Sequence, residues 1–425
     1  MRRLFSVFVV LAVAGLSLGL TACGGDDDGG GGGGEATLDL TIGDSVPLTG
    51  ALSPYGPPGQ KAADVAVAQI NAAIDDVGAD HTVEIIHEDN ETLPTPAVNV
   101  ARSMVDEGAS CIAGAWASSD TIPTARSVAI REGVLQISPS STSDEITALE
   151  DDGLLNRTAP PDKYQGPTLA DAIEKDIGGA EGKVVNIGAR NDSYGEGLAG
   201  TFSDAWEAKG GQIGESVLYD PEQPSYDSEA RQIVSGNPDT IVIIDFPETF
   251  ANVGPALLRT GDYDPANAWG TDGLTIGPVK PPEIVAGMTA TAPGSPNAGA
   301  VPEAFADVFA ESDPADVEQA IFAAQNFDAV ILCYLAAVAA GSTDGQEMAD
   351  QVRDISGPPG DKYSFEDLSG AIEALQNGDD IDYEGAAGAI DLDEAGDPTS
   401  GVYDINEFQP NGELKEIDEV PVPEL

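Results

Sequence analysis

Basic and sulfur-bearing residues are scarce in this chain. Eighteen Lys plus Arg stand against 74 Asp plus Glu in 425 residues, with two His and three Cys, for a formal net charge of −56. So few cations exclude nucleic acid as a partner, because phosphate binding needs clustered Lys and Arg. The same balance disfavours attachment to anionic lipid by charge. Three cysteines exclude a disulfide scaffold. His81 and His87 share one face of a strand pattern, but they are too far apart to be adjacent metal ligands, and no further His or Cys lies nearby. GxSxG, Walker and HExxH motifs are absent. Asp391, Asp393 and Asp397 lack the spacing and the bidentate Glu of a calcium loop. What is present is a body: 41% of residues are hydrophobic, enough for sizeable cores and too many for a disordered acidic polymer. At roughly 150 residues per domain, two or three domains are expected. The acidity fits a surface kept soluble by charge, as in salt, and equally a lineage poor in Lys.

Residues 1–22 read as a secretory leader, with Arg2 and Arg3 ahead of the almost wholly apolar Leu4–Leu20. Leu20-Thr21-Ala22-Cys23 resembles the bacterial lipobox, which implies a lipid on Cys23 and removal of the leader. Residues 23–36 then form the lipidated Cys and a Gly/Asp tether. Its stretch Gly24–Glu35 spans at most about 40 Å when extended and about 20 Å as a coil. No later stretch holds 18 consecutive apolar residues; the longest run, Ala329–Ala340, has the length of a buried helix. The working part is therefore expected outside the cytoplasm, on the extracytoplasmic face of the bacterial cell membrane.

From residue 37 on, strand and helix patterns alternate. Strands are expected at Thr37–Gly43, Thr82–Ile86, Ser110–Gly114 and Val134–Ile137, with helices at Pro58–Ile74, Pro96–Glu107 and Thr121–Arg131 between them. A second series has strands at Lys183–Ile187, Gln212–Val217 and Thr240–Ile244, and helices at Tyr164–Lys175, Gly195–Lys209, Tyr226–Ser235 and Pro247–Thr260. Val184–Ile187 and Ile241–Ile244 are short apolar runs, as in strands covered on both faces. Two such series predict an α/β fold of two doubly wound, Rossmann-like lobes. The last third is less regular, with helices expected near Val301–Phe309, Val317–Ala340, Gly345–Ile355 and Phe365–Asn377. Pro- or Gly-marked joints at Asn156–Pro161, Ala290–Gly294 and Gly396–Gly401 are the candidate crossings.

Two hydroxyl-rich loops follow predicted strands: Gly114-Ala115-Trp116-Ala117-Ser118-Ser119-Asp120-Thr121 and Ser138-Pro139-Ser140-Ser141-Thr142-Ser143. In open α/β sheets ligands bind beyond the carboxyl ends of the strands, and a helix start offers free N–H groups to an anion. Ser118, Ser119 and Thr142 would add hydroxyl donors without a cation. An N-cap followed by an ordinary turn explains the same residues.

These loops belong to a longer series. Ile42-Gly43-Asp44-Ser45-Val46-Pro47-Leu48-Thr49-Gly50 with Tyr55-Gly56, the two hydroxyl loops, Arg157-Thr158 through Asp162 and Gln165, Asp192-Ser193-Tyr194-Gly195-Glu196-Gly197, Gly270-Thr271-Asp272-Gly273 and the stretch Tyr383–Asp397 occur in order. The series resembles the solute-binding proteins of branched-chain amino-acid ABC transporters, of the type I periplasmic-binding-protein fold. The resemblance implies two lobes joined by three crossings: 37–158 plus 292–398, and 159–291 plus 399–425. It implies a non-enzymatic, monomeric binder of a small amino acid or analogue, with no cofactor or metal, delivering to an ABC permease. By position, Ser118 and Thr142, with Ser119 and the backbone at Ser141, hold the ligand carboxylate, and Asp272 holds its ammonium. Tyr55 and Tyr194 close over it, while Phe246 and Phe322 line the side-chain pocket; Trp116 packs. The chain departs from the pattern at Ala117, which sits where some members carry a cysteine, and at Asp245-Phe246-Pro247-Glu248, where a small Gly-rich run is usual. A ligand sensor without a transport role and a secreted serine-type hydrolase are the alternatives. Cys111 opens a predicted strand and Cys333 lies in a predicted helix; both are expected as buried free thiols, although an oxidising exterior permits a bond.

Overall fold

The structure, a computed structural model, describes residues 37–276, 278–294 and 321–422. The leader, Cys23, the tether and the helix expected near Val301–Phe309 lie outside the described residues.

The first lobe is built on five parallel strands: β1 (Leu38–Val46), β2 (His81–Asp89), β3 (Ala109–Ala113), β4 (Leu135–Ser138) and β5 (Leu155–Arg157). They lie in the order β2-β1-β3-β4-β5. Side chains alternate across the sheet. Cys111 and Ala113 face one hydrophobic cluster with Leu40, Ile42 and Ile137. Ile112 faces a smaller cluster with Ala101 and Val128. The helices Gly56–Val77, Ala323–Ala340 and Gly345–Ile355 cover the first face, and Pro94–Asp106 and the helical run from Ser118 to Glu132 cover the second.

The second lobe repeats the plan with β6 (Val184–Arg190), β7 (Gln212–Tyr219), β8 (Thr240–Ile244), β9 (Ala268–Gly270) and β10 (Thr289–Gly294). The chain then returns to the first lobe and adds a small sheet of β11 (Asp361–Ser364), β12 (Ile381–Gly385) and β13 (Gly388–Ala389). β14 (Val402–Phe408) and β15 (Leu414–Pro421) finish the second sheet as antiparallel strands, giving the order β15-β14-β10-β9-β8-β6-β7. Its two faces bury Val185, Ile187, Val242 and Ile244 on one side and Ile241, Ile243, Ala268 and Ala290 on the other. The expected doubly wound α/β architecture in two lobes is therefore present. β5 and β9, three residues each, are too short to show a period and fall outside the sequence-based strands. The joint at Ala290–Gly294 is a strand paired along its length with β14.

The helix Ala323–Ala340 is long and apolar enough to cross a membrane, yet 89% of it is buried inside the protein. It lies across β1, β3 and β4, and this placement corrects the expectation for the cysteines. Cys111 on β3 and Cys333 on the helix are not free thiols: they form a disulfide, with Cα atoms 5.9 Å apart and a sequence separation of 222. Each was read correctly as buried, but only the packing of helix on sheet brings them within bonding reach. Chain-entropy reasoning makes a bond closing so long a loop worth about 5 kcal/mol. Denatured, unreduced protein should take up no thiol reagent at Cys111 or Cys333, and the double alanine variant should unfold at markedly lower denaturant. Labelling at both positions before reduction would contradict the bond.

Candidate functional site

Ligand clefts of open α/β sheets form where the strand order reverses. In the first sheet that point lies between β1 and β3, and in the second between β6 and β8. The loops leaving these strands meet. Leu52 and Tyr55 follow β1, Trp116 to Ser118 follow β3, and Ser140 follows β4; from the other lobe come Tyr194 after β6, Phe246 after β8, and Asp272 and Gly273 after β9. With Phe322, at the start of the helix Ala323–Ala340, they enclose a cavity of about 20 Å³, room for about one water molecule. The lobes are closed on each other. The Tyr55 hydroxyl is shared between the carbonyls of Asp272 (3.1 Å) and Gly273 (3.2 Å), and Ser53 Oγ donates to the Glu248 carboxylate.

Among the described residues Asp272 is the one carboxylate lining the cavity, and no Lys or Arg lines it. Its Oδ1 accepts from the Tyr194 hydroxyl at 2.7 Å, and that hydroxyl also contacts Thr271 Oγ1 at 2.8 Å. Burial pushes the Asp272 carboxyl up to about 6, against the pull of the Tyr194 hydrogen bond. Behind it the rings of Tyr194 and Phe246 stack with centroids 5.1 Å apart, and the Arg190 guanidinium lies 4.0 Å from the Phe246 centroid. Arg190 is fixed by Asp192 and Thr249, each at 2.8 Å. Asp245 accepts from the Phe246 N–H at 2.7 Å and from the Tyr219 hydroxyl at 2.9 Å. The unusual Asp245-Phe246 pair thus makes a rigid aromatic wall in place of a small loop.

The hydroxyl loops divide. Ser118 lines the cavity; its Oγ accepts from the Ser143 N–H at 3.2 Å, leaving its own O–H to donate. Thr142 is buried outside the lining, and its Oγ1, without a hydrogen-bond partner, lies near the buried Asp162 carboxyl. Ser119 is half-buried, outside the lining, and its hydroxyl donates to Asp120 at 3.3 Å. Ser141 is also outside the lining: its N–H donates to Ser138 Oγ at 3.1 Å, and its hydroxyl bonds the Trp116 carbonyl at 3.0 Å and Thr121 at 2.8 Å. In this closed form the loop uses the Ser141 N–H to fold on itself. Leu52, Ser140 and Gly273 line the cavity without having been singled out in sequence, since nothing in residue type marks them. Trp116, expected to pack, lines it too.

The sequence profile of the periplasmic binding protein family matches residues 39–377, most of the chain. The chain belongs to this family. A chemotactic signal transduction system substrate-binding protein of Halobacterium salinarum is 25% identical over 370 residues, covering 85% of each chain. The Leu/Ile/Val-binding protein of Escherichia coli is 34% identical over 157 residues, 37% of this chain and 41% of its own. Among solved structures, a branched-chain amino acid transporter substrate-binding protein of Streptococcus pneumoniae in complex with isoleucine has a TM-score of 0.69 at 21% identity, covering 91% of this chain and 99% of that one. A leucine binding protein of Thermotoga maritima has a TM-score of 0.71 at 22% identity over 90% and 98%. At such identities the likeness establishes the fold. Periplasmic binding proteins capture solutes outside the cytoplasm and are not enzymes, so the hydrolase reading is set aside.

For a periplasmic binding protein the joints between lobes matter as much as the cleft. Arg157, at the end of β5, is fully buried and bonds Asp397 at 2.7 Å, Thr147 at 2.7 Å and the carbonyls of Ser141 (3.1 Å) and Ser143 (3.0 Å). Lys163 adds a contact to Asp397 at 3.3 Å. Burial raises the Asp397 carboxyl, but Arg157, Thr147 and Lys163 outweigh it and hold the group below its ordinary value. The first and last crossings and the second hydroxyl loop thus share one buried ion pair. In the sequence Arg157 and Asp397 stand 240 residues apart, and nothing local signals that they meet.

The state of Asp272 generates a pH prediction. A ligand ammonium needs the carboxylate, while the ligand-free cleft favours the protonated acid below about 6. Affinity for an ammonium-bearing ligand should hold above that value and fall by up to tenfold per unit below it, as calorimetric titration at stepped pH would record. Asp272→Asn should bind weakly at every pH without that step; a step retained in the variant would place the titrating group elsewhere.

Proposed function

We propose that this protein captures a small amino acid or close analogue as a zwitterion, as a monomer, and delivers it to an ABC permease. One pairing carries the reading: neutral donors on the first lobe face Asp272 on the second, the one carboxylate among the described residues of the lining, with no described cation between them. Ser118 and Thr142 take the ligand carboxylate, Asp272 takes its ammonium, and Tyr55 and Tyr194 cover it from the two lobes. Phe246 and Phe322, with Leu52, form an apolar wall for the side chain, so aliphatic amino acids are the first choice. A dianion such as phosphate has no partner here.

A thermal-shift panel of amino acids, amides, urea and small carboxylates tests this. A ligand at 100 times its dissociation constant adds about 2.7 kcal/mol. Asp272→Asn should cost about 2–5 kcal/mol of binding and Ser118→Ala about 1.5–3 kcal/mol. If only molecules without an α-ammonium shift the midpoint, Asp272 loses its proposed role.

A second reading has an observation of its own. The Halobacterium salinarum relative, matched over 85% of both chains, is a chemotactic signal transduction substrate-binding protein. The same closed, loaded form would then be presented to a membrane receptor, and the cleft chemistry is unchanged. Either role needs the protein held near the membrane. The Leu20-Thr21-Ala22-Cys23 pattern supports a lipid anchor at Cys23, made stable by more than one acyl chain. Cys23→Ala should move the protein from the membrane to the soluble fraction, and an unchanged distribution would remove the anchor.

A further inference from the structure

The ligand roles proposed above leave one buried donor of the cleft unused. Trp116 is 2% exposed, lines the cavity, and its indole Nε1 has no hydrogen-bond partner. A buried indole N–H ordinarily finds an acceptor, and leaving it unsatisfied is costly. The side chain is also held in place. Its ring edge lies against Gly59 so closely that a Cβ there would come within 2.3 Å of Cζ2 and 2.5 Å of Cη2. Its own carbonyl is tied by Ser140 Oγ at 2.8 Å and Ser141 Oγ at 3.0 Å. A second indole, Trp206, also lacks a partner, but it packs under Gly211 inside the second lobe and lines no cavity described here. What sets Trp116 apart is the cleft.

We propose that Trp116 is a ligand-contacting, specificity-determining residue whose indole N–H donates a hydrogen bond to the ligand carboxylate beside Ser118. The assignment rests on reading the cleft as a zwitterion site and goes beyond it. An indole nitrogen only donates, so its partner is an oxygen acceptor and never the ammonium. The cavity is small enough that a ligand touching Ser118 is within reach of Trp116 two residues away. The first lobe then offers two neutral donors from the cavity lining, the indole N–H and the Ser118 hydroxyl, to one carboxylate. This arrangement selects an acid over the matching amine.

The test uses the folded, full-length protein labelled with ¹⁵N and titrated with L-leucine and L-alanine. The three indole N–H resonances are assigned with Trp116→Phe, and Trp206 and Trp269 serve as internal controls. On saturation the Trp116 resonance should shift while Trp206 stays in place, and Trp116→Phe should bind roughly ten- to a hundred-fold more weakly. Binding by the wild type with an unmoved Trp116 resonance, or with a Phe variant that binds within twofold, overturns the proposal and leaves the zwitterion reading standing. If neither amino acid binds and the wider panel shows only ligands without a carboxylate, both readings fall. The wild-type resonance decides the matter even if the Phe variant does not fold.

Discussion

The buried pair of Arg157 and Asp397 is the interaction on which the cleft depends. An ion pair with both side chains out of water gains from Coulomb attraction only if the remaining donors and acceptors are met. Here Arg157 spends its guanidinium on Asp397, Thr147 and the carbonyls of Ser141 and Ser143. The first link ties the crossing after β5 to the crossing before β14, and the carbonyl links shape the loop that carries Thr142. Removing either partner would leave a buried charge uncompensated, typically at about 3–5 kcal/mol, and would loosen hinge and ligand loop together.

Against that fixed frame, Asp272 is a group left unpaired by any cation. Burial holds its carboxyl near 6 in the closed, ligand-free cleft, and Tyr194 supplies only a neutral hydrogen bond. Such a group favours whatever brings it a positive charge. A ligand shifts a conformational equilibrium only by binding one state better than another. On the proposed reading a zwitterion meets that condition, its carboxylate answered by the first lobe and its ammonium by Asp272. Periplasmic binding proteins are among the proteins that close hinged domains around ligands. The closed cleft has room for about one water molecule, so an amino acid enters a more open form.

Much of this was legible in the sequence, and the reasons are physical. Apolar runs such as Ile241–Ile244 and the helical period of Gly56–Val77 report burial directly, so both wound series could be read. Tyr55, Ser118, Tyr194, Phe246, Asp272 and Phe322, drawn from an ordered series of loop motifs, line one cavity. Ser141 and Ser119 lie outside that lining: a hydroxyl-rich loop has two uses, binding a ligand or bonding itself, and residue type does not distinguish them. The Cys111–Cys333 bond and the Arg157–Asp397 pair were hidden for another reason. Each joins positions more than 200 residues apart, and local pattern carries no information about which helix lies on which strand. Trp116 was read as packing, and its packing against Gly59 is real; its unpaired N–H is visible only once partners can be counted.

The central claim is that a zwitterionic ligand draws the lobes together between the first-lobe donors and Asp272. Small-angle scattering of the mature protein, titrated with an amino acid that raises its melting temperature, tests this most directly. The account predicts a ligand-dependent fall in the radius of gyration that Asp272→Asn abolishes at the same ligand concentration. A radius unchanged by a ligand that demonstrably binds, or an equal fall in the Asn variant at that concentration, would contradict it.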